Sequence, residues 1–516
     1  MDILRPRISA FSVSFLLIAF VLFLNIIPHI YAYQHTPDGM VYSGQATFFD
    51  PWDINVYISA IHSGQRYGLL LGNSYTTLEN KPIFLYPVYT LIGTLLPNIS
   101  PILLFHFLSI VCGILLALTL LYVLRLLNYS GGKLFAVFFL IATGGGLGWL
   151  IFPNQSPDLF TTGFTFATAF QRPHEAIGSI LYLFSLIVFY LGNSKQQPKL
   201  VFLSGLASFA LIFIYPYYIL SYSVICGLYT LYFYIKSRHT YPIFYLICNL
   251  IFIVPIALIY SWHLQSNPTL AGVIMQAQKT PDILHLLLGY GILAPLVGYG
   301  MFIPKTQVRV FLLIWLLASI GLSYLPFGFG IFYLRMLFFP AVLLAVGSAR
   351  HLAKRWHWQV NWVLILLLIF VPLTTYYTVY KRVAEVYSNN RWYYIPKEEA
   401  DALKFLSDQT PPKSGVLAGY TISNLIPTRT YNRVYFGHFF QTPNAQEKIN
   451  NLTFFYQNAF SEKKALQFLK QNNISYVFWG VDEQVANGFP KNSAGLQYTF
   501  LRPVFSEGNV AVFTYK

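Results

Sequence analysis

Phe11-Ser12-Val13-Ser14-Phe15-Leu16-Leu17-Ile18-Ala19-Phe20-Val21-Leu22-Phe23-Leu24-Asn25-Ile26-Ile27 is the centre of an apolar run over about residues 8–30. A helix of that length crosses a hydrocarbon core about 30 Å thick. The run is too long for a signal-peptide core and has no obvious small-residue cleavage site, so it reads as a retained anchor. Comparable runs recur near 101–125, 134–153, 175–193, 199–214, 217–235, 241–262, 283–303, 310–326, 331–349 and 361–380. The sequence therefore predicts a mainly α, polytopic membrane protein with about eleven transmembrane helices.

Composition agrees. The 516 residues are 56% hydrophobic and 10% charged, with a mean hydropathy of +0.53, unlike a soluble domain. Aromatics at 18% suit interfacial belts, where Tyr and Trp place a polar edge among headgroups. In a soluble protein a net charge of +15 would suggest nucleic acid. Here much of the excess sits in short loops between apolar runs, where it sets orientation and meets anionic lipid. Cys112, Cys226 and Cys248 fall within expected spans, and their spacing implies neither a disulfide nor a zinc site.

Charge also orients the chain. Arg5 and Arg7 place the N-terminus inside. The basic loops Arg125/Lys133, Lys195/Lys199, Lys236/Arg238, Lys305/Arg309 and Arg350/Lys354/Arg355 join it if the stretch 82–97, bounded by Pro82 and Pro97, is re-entrant or interfacial. Counted as a span, that stretch would turn all five loops outside. The consistent reading puts 31–100, 154–174, 263–282, a turn near 327–330 and everything after 380 on the extracytoplasmic side. The runs 199–214 and 217–235, joined by Tyr215-Pro216-Tyr217-Tyr218, are two spans or one broken helix.

After residue 380 the pattern becomes that of a soluble domain. Ten of the eighteen acids lie there. Pro396-Lys397-Glu398-Glu399 opens an amphipathic helix that Pro411-Pro412 stops, and 462–471 is a second. Val416–Ala418, Arg433–Phe436 and Ser475–Gly480 read as strands, and 501–505 with 510–515 as a terminal hairpin. The expected organisation is a transmembrane domain over 1–380 and a small extracytoplasmic α/β domain over 381–516.

Before about residue 380 the only acids are Asp2, Asp38, Asp50, Asp53, Glu79, Asp158, Glu175 and Asp282. All but Asp2 fall on the extracytoplasmic side, which points to a site there. Asp50 and Asp53 stand in Phe49-Asp50-Pro51-Trp52-Asp53-Ile54-Asn55-Val56-Tyr57, just beyond the first span. The segment Trp52–Gly64 has apolar residues at roughly helical spacing, as in a helix lying flat on the membrane. Asp53 could cap that helix and Asp50 could serve a turn. A carboxylate there can equally act as general base on an acceptor or bind a divalent cation such as Mg2+ or Mn2+, although no full ligand set is visible.

Gln171-Arg172-Pro173-His174-Glu175 is a dense polar cluster where an outer loop enters a span. Such groups mark a functional site or an interfacial anchor. Arg335 lies about one turn inside an expected span, where it snorkels to the interface or holds a phosphate or pyrophosphate. Glu79, His263, Asp282 and His285 flank the same face as further cavity candidates. Gly144-Gly145-Gly146 lacks the Lys-Ser/Thr pair of a P-loop and reads as allowing close helix packing or a kink. His106 reads as an interhelical hydrogen-bonder.

These blocks together resemble the GT-C membrane glycosyltransferases, and more closely a bacterial branch of that superfamily. The resemblance rests on Asp53–Tyr57, Asn73–Thr77, Thr143–Leu150, Arg172-Pro173-His174, Tyr333-Leu334-Arg335, Asn424–Pro427, Tyr435–His438 and Tyr476–Gly480. It implies a multi-pass protein of the bacterial plasma membrane. The implied reaction is inverting transfer of a hexosyl or pentosyl unit from a polyprenyl-phosphate donor to a glycan, lipid or protein acceptor. Asp53 matches the family's loop-one acid, a base or metal ligand, with Asp50 as its rival. Arg335 matches the basic residue on the lipid phosphate, with Arg172 and His174 beside it. Loop one departs from the family in lacking an adjacent acid pair. Two other classes compete: a non-catalytic assembly or glycan-binding factor, and a lipid or solute transporter. Peripheral acids and the lack of an evident repeat argue against the transporter.

Overall fold

The computed structural model describes residues 10–47, 50–153, 156–159, 161, 163–267, 279–326, 329–486 and 495–515. Asp2, Arg5, Arg7, Phe49 and much of the 263–282 loop lie outside them. Along the chain come α1 (Ala10–Gln34), β1 (Met40–Tyr42), α2 (Pro51–Tyr67), α3 (Pro87–Leu95), α4 (Pro101–Leu126), α5 (Gly131–Thr143), α6 (Pro173–Ser194), α7 (Pro198–Ile212), α8 (Tyr218–Ser237) and α9 (Tyr241–Gln265). Then follow α10 (Ile283–Tyr290), α11 (Leu293–Gly300), α12 (Gln307–Tyr324), α13 (Phe338–Arg355), α14 (Val360–Phe370) and α15 (Leu373–Ala384). The last part holds β2 (Tyr394–Pro396), α16 (Lys397–Gln409), β3 (Gly415–Leu417), α17 (Tyr420–Arg429), β4 (Arg433–Val434), α18 (Ala445–Tyr456), α19 (Glu462–Gln471), β5 (Ile474–Trp479), α20 (Val481–Ala486), β6 (Leu501–Glu507) and β7 (Val510–Tyr515). Prolines open α2, α3, α6 and α7, where a fixed φ and a missing N–H are harmless.

Among the described residues seven helical stretches are long and apolar enough to span a membrane, or eight if α10 and α11, bent by 99°, count as one. Eleven were expected. The difference has a geometric cause: α5 and α7 have 13 and 15 residues and reach only about 20–22 Å. The expected span 331–349 is broken as well, since a 3-10 turn over Gly330–Leu334 precedes α13. Large apolar side chains such as Phe15, Phe23, Leu103, Phe202, Phe244 and Phe252 face outward, as they do in a membrane protein.

The chain forms two compact units. Unit 1 comprises Met1–Ile27, Leu108–Ser261 and Ala277–Lys381; unit 2 comprises Pro28–Phe107, Trp262–Gln276 and Arg382–Lys516. In unit 1 the indole of Trp315 is fully buried against Phe339 and edge-on to Tyr182. A polar chain links α7, α8 and α9: Tyr222 donates to Asn249 Oδ1 (3.0 Å) and Asn249 Nδ2 to Val201 O (3.0 Å). Between apolar helices such bonds satisfy groups that lipid cannot. The close-packing reading of the glycine run holds, because a Cβ on Gly146 would collide with the Gly289 carbonyl.

Unit 2 contains a five-stranded sheet of order β4-β3-β5-β7-β6. β3 is parallel to β4 and β5, and the β6–β7 hairpin adds antiparallel strands. Helical crossovers join the parallel strands, as that geometry demands. β1 pairs antiparallel with β2, Met40 opposite Pro396 and Tyr42 opposite Tyr394. α2 presents no exposed polar face over its middle: Ile54 to Gly64 are all buried, packed by α3 and α17. The helix is polar enough to look amphipathic, but Asn55, Ser59, His62 and Ser63 are also inside. Contact with α3 is close because a Cβ on Gly93 would strike the Ile61 carbonyl, and one on Gly64 the Thr90 carbonyl.

Two outcomes follow from this packing. Gly93→Ala is expected to lower stability by about 1–3 kcal/mol through overpacking, read as a lower thermal midpoint of the detergent-solubilised protein. Lys448 is buried beside Thr76 and over the Tyr435 ring, and burial pushes its ammonium down to about 8 from the usual 10.5. The folded state then binds fewer protons than the unfolded one between those values, so stability rises with pH across that window. Melting curves at pH 7.5 and 10 should show this component in the wild type and its loss in Lys448→Met.

Candidate functional site

In unit 2 the site starts with the entry to α2. Asp50, not Asp53, occupies the N-cap, with φ 50° and ψ 49°, and its side chain makes no capping hydrogen bond. A left-handed residue costs about 1–3 kcal/mol, a strain commonly found at functional sites. Asp53 sits in the first turn, where the helix dipole favours a carboxylate. Its Oδ1 lies 2.8 Å from His438 Nε2. The Gln441 backbone N–H donates to His438 Nδ1 at 3.3 Å, which leaves the imidazole proton on Nε2, pointing at Asp53. His438 is buried, whereas the Asp53 side chain keeps 27% of its exposure. The carboxylate is therefore oriented by a buried partner while its side chain stays part-exposed.

Two tyrosines border the pair. Tyr420 is pushed upward in pKa by burial and then by the charges of Asp53 and Asp50, so both acids approach one phenol. Tyr75 is raised in the same way, by burial first, with Asp53 among its neighbours. Tyr420 opens α17 after β3, and His438 follows β4. Both thus lie beyond the carboxyl ends of parallel strands, where open α/β sheets present functional groups.

The loop leading to Asp50 is held by its carbonyls. Arg429 Nη2 donates to Ser43 O (2.8 Å), His106 Nε2 to Gly44 O (2.7 Å) and Arg382 Nε to Ala46 O (2.8 Å). Gln45 Nε2 donates to Pro51 O at 3.1 Å. Arg382 Nη2 also donates to His29 Nε2 (3.0 Å), so His29 Nδ1–H faces the Tyr42 hydroxyl at 3.1 Å. Arg429 is deeply buried, which pushes its guanidinium down to about 10. His106 thus bonds a loop carbonyl rather than a neighbouring span.

In unit 1 a second cluster forms at the start of α6. Arg172 is its N-cap, followed by Pro173, His174 and Glu175. Glu175 Oε1 is 3.6 Å from Arg172 Nη1 and 3.8 Å from Arg335 Nη2. These are ion pairs too long for hydrogen bonds, so Arg335 retains donor capacity. Its guanidinium lies over the rings of Tyr215 and Phe332, 4.9 and 4.7 Å from their centroids. Arg335 Nη1 and Glu175 Oε2 are buried with no hydrogen-bond partner among the described residues. His174 packs beside Tyr215. The structure thus brings Arg172, His174, Glu175 and Arg335 together.

Other candidates stand apart. Glu79 lines a polar cavity of about 670 Å3 with Lys81, Lys413 and Arg433. His263 is exposed near the end of α9. Asp282 caps α10, accepting the His285 backbone N–H at 2.9 Å. Asp158 is fully buried, held by Ser156 and by Thr374 Oγ1 at 3.2 Å; burial raises its pKa against those hydrogen bonds. Among the described residues no three His, Cys, Asp or Glu side chains converge on a place for a metal ion. The described residues do not by themselves supply a ligand set for a divalent cation. Sequence reasoning included His438 in the block Tyr435–His438 but gave it no role, and it passed over Tyr420.

No family model matches the sequence, and no curated protein matches it. Solved structures do match. The apo oligosaccharyltransferase of Archaeoglobus fulgidus aligns with a TM-score of 0.56 at 13% identity, covering 92% of this chain and 70% of that one. The same organism's oligosaccharyltransferase AglB, with an inhibitory peptide and a dolichol-phosphate, gives 0.51 at 11% identity over 89% and 69%. Its complex with zinc and sulfate gives 0.51 at 13% identity over 88% and 67%. The chain therefore shares the fold of these archaeal oligosaccharyltransferase structures.

The Asp53–His438 contact can be tested as a pair. A charge-assisted hydrogen bond contributes about 1.5–3 kcal/mol, so His438→Ala and Asp53→Asn should each lower the thermal midpoint. The double variant should lose no more than the worse single one. Strictly additive losses would show that the contact is not made.

Proposed function

We propose that this chain is an inverting membrane glycosyltransferase, moving a hexosyl or pentosyl unit from a polyprenyl-phosphate donor to an extracytoplasmic acceptor. The observation that carries the reading is the part-exposed Asp53 carboxylate, oriented by the buried His438 N–H at 2.8 Å. Asp53 takes the acceptor proton as general base, Asp50 being the rival for this role. The acceptor's freed electron pair forms the new bond at the sugar's C1 as the C1–O bond to phosphate breaks on the opposite face. The oxygen leaves with that bond's electron pair. Arg335, with Arg172 and His174, meets the charge that develops on the lipid phosphate. Support comes from the fold shared with these oligosaccharyltransferases, from the dolichol-phosphate and inhibitory peptide bound by AglB, and from the unmet donor of Arg335.

In this reading the segments 31–100 and 381–516 face the extracytoplasmic side of a bacterial plasma membrane, and the N-terminus is cytoplasmic. The acceptor is a glycan, lipid or protein. Glu79 and His263 have no part in the reaction.

The full chain in proteoliposomes, supplied with polyprenyl-phosphate sugars and candidate acceptors, tests the proposal. Asp53→Asn should cut turnover by about 10²–10⁴-fold, and Asp50→Asn by clearly less. Arg335→Ala should lose turnover and Arg335→Lys recover part of it, since a point charge lacks the fork. Robust turnover in all of these variants would reject the assigned site. If no donor is consumed while the protein binds glycan, the chain is a binding or assembly factor instead. A reporter fused after residue 390 that is active in the cytoplasm would invert the orientation.

A further inference from the structure

A third polar cluster in unit 1 serves neither the α6 site nor any acid. It gathers where α4 turns into α5 at Tyr129, α11 ends at Gly300, α12 begins with Arg309, and α13 closes through Gly347, Ser348 and Arg350. Arg309 Nη2 donates to Ser348 Oγ at 3.1 Å, and that hydroxyl donates to Leu344 O at 2.8 Å. Arg350 follows Ser348 by two residues on α13, and the Tyr129 phenol lies within electrostatic reach of both Arg350 and Arg309. Gly300 keeps the space beside Arg309 clear, because a Cβ there would lie 3.2 Å from Arg309 Nη2.

These cations lack a counter-charge among the described residues. Arg309 Nε and Arg350 Nε and Nη2 are buried N–H donors without a hydrogen-bond partner. The described acids of unit 1 are engaged elsewhere: Asp158 with Ser156 and Thr374, Glu175 with Arg172 and Arg335, and Asp282 with His285. Loop arginines that only set orientation keep their heads in water. Three buried, unmet donors on two guanidinium groups instead demand an acceptor-rich anion. Planar forks suit phosphate oxygens in particular.

We propose that Arg309 and Arg350, with Ser348 and Tyr129, form a phosphate-binding site separate from the Arg335 cluster. Its ligand chemistry is a phosphate carrying net negative charge, either an anionic phospholipid headgroup or free phosphate. The neighbouring Arg125, Lys133, Lys305, Lys354 and Arg355 mark this as the end that the positive-inside bias assigns to the cytoplasmic leaflet, whose surface is anionic.

The test uses the full chain, delipidated in neutral detergent and titrated separately with phosphatidylglycerol, phosphatidylcholine and inorganic phosphate. Thermal midpoint and lipid retained in native mass spectra are the readouts. Phosphatidylglycerol should be retained and should raise the midpoint, with phosphatidylcholine clearly weaker. Arg309→Gln and Arg350→Gln should weaken the response by about tenfold or more, the scale of one lost charged contact. Arg125→Gln, exposed on α4, should leave it nearly unchanged. If inorganic phosphate displaces the lipid or alone raises the midpoint, the site takes free phosphate; if it does neither, the lipid is the source. Equal wild-type responses to the two lipids with none to phosphate would overturn the site, as would a response that both glutamine variants retain. The readout is binding, so it stands apart from glycosyl transfer.

Discussion

A charge taken out of water must be met by donors, acceptors or an opposite charge, and the buried charges of this chain gather where that demand shapes the structure. In unit 2 it explains why Arg382, Arg429 and His106 all reach carbonyls of one short loop. Each of the three gives one donor to a carbonyl there, and the loop is thereby fixed where it delivers Asp50 and Asp53. His438 completes the arrangement from the sheet, with its proton placed by the Gln441 N–H. The part-exposed Asp53 carboxylate is thus held by a buried imidazole.

In unit 1, too, the demand is met only in part. Glu175 shares one oxygen between two arginines at distances beyond hydrogen bonding, and donors on Arg335, Arg309 and Arg350 stay unmet. A fully satisfied network rigidifies a core, whereas a half-satisfied one is costly unless a ligand completes it. Two such places in one set of helices fit a protein whose ligands carry phosphate. The aromatic rings of Tyr215 and Phe332 strengthen the first by stacking on Arg335 and excluding water from it.

Much of this was legible in the sequence. The long apolar runs at α1, α4, α6, α8, α9 and α12 carry hydropathy that no soluble fold tolerates outward. The terminal hairpin and the helices α16 and α19 follow from period and turn residues. Asp53, Arg172, His174 and Arg335 stood out because a polar residue among so many apolar ones is costly to retain. Other parts were hidden. Nothing local marks β1 as the partner of β2, since they are more than three hundred residues apart. Nor does α2 show that its polar face is buried, because Asn55, Ser59 and His62 read as exposed until neighbouring elements cover them.

By itself, then, the sequence determined a many-helix membrane protein with an α/β segment at its end, and nominated most of the polar groups at issue. It could do so because hydropathy and period are local properties of the chain. Only the tertiary structure decided that α5 and α7 are too short to cross a bilayer alone, that Asp50 rather than Asp53 heads α2, and that His438 stands behind Asp53. Those facts depend on where a helix stops and on contacts between residues far apart in the chain, which local composition does not encode.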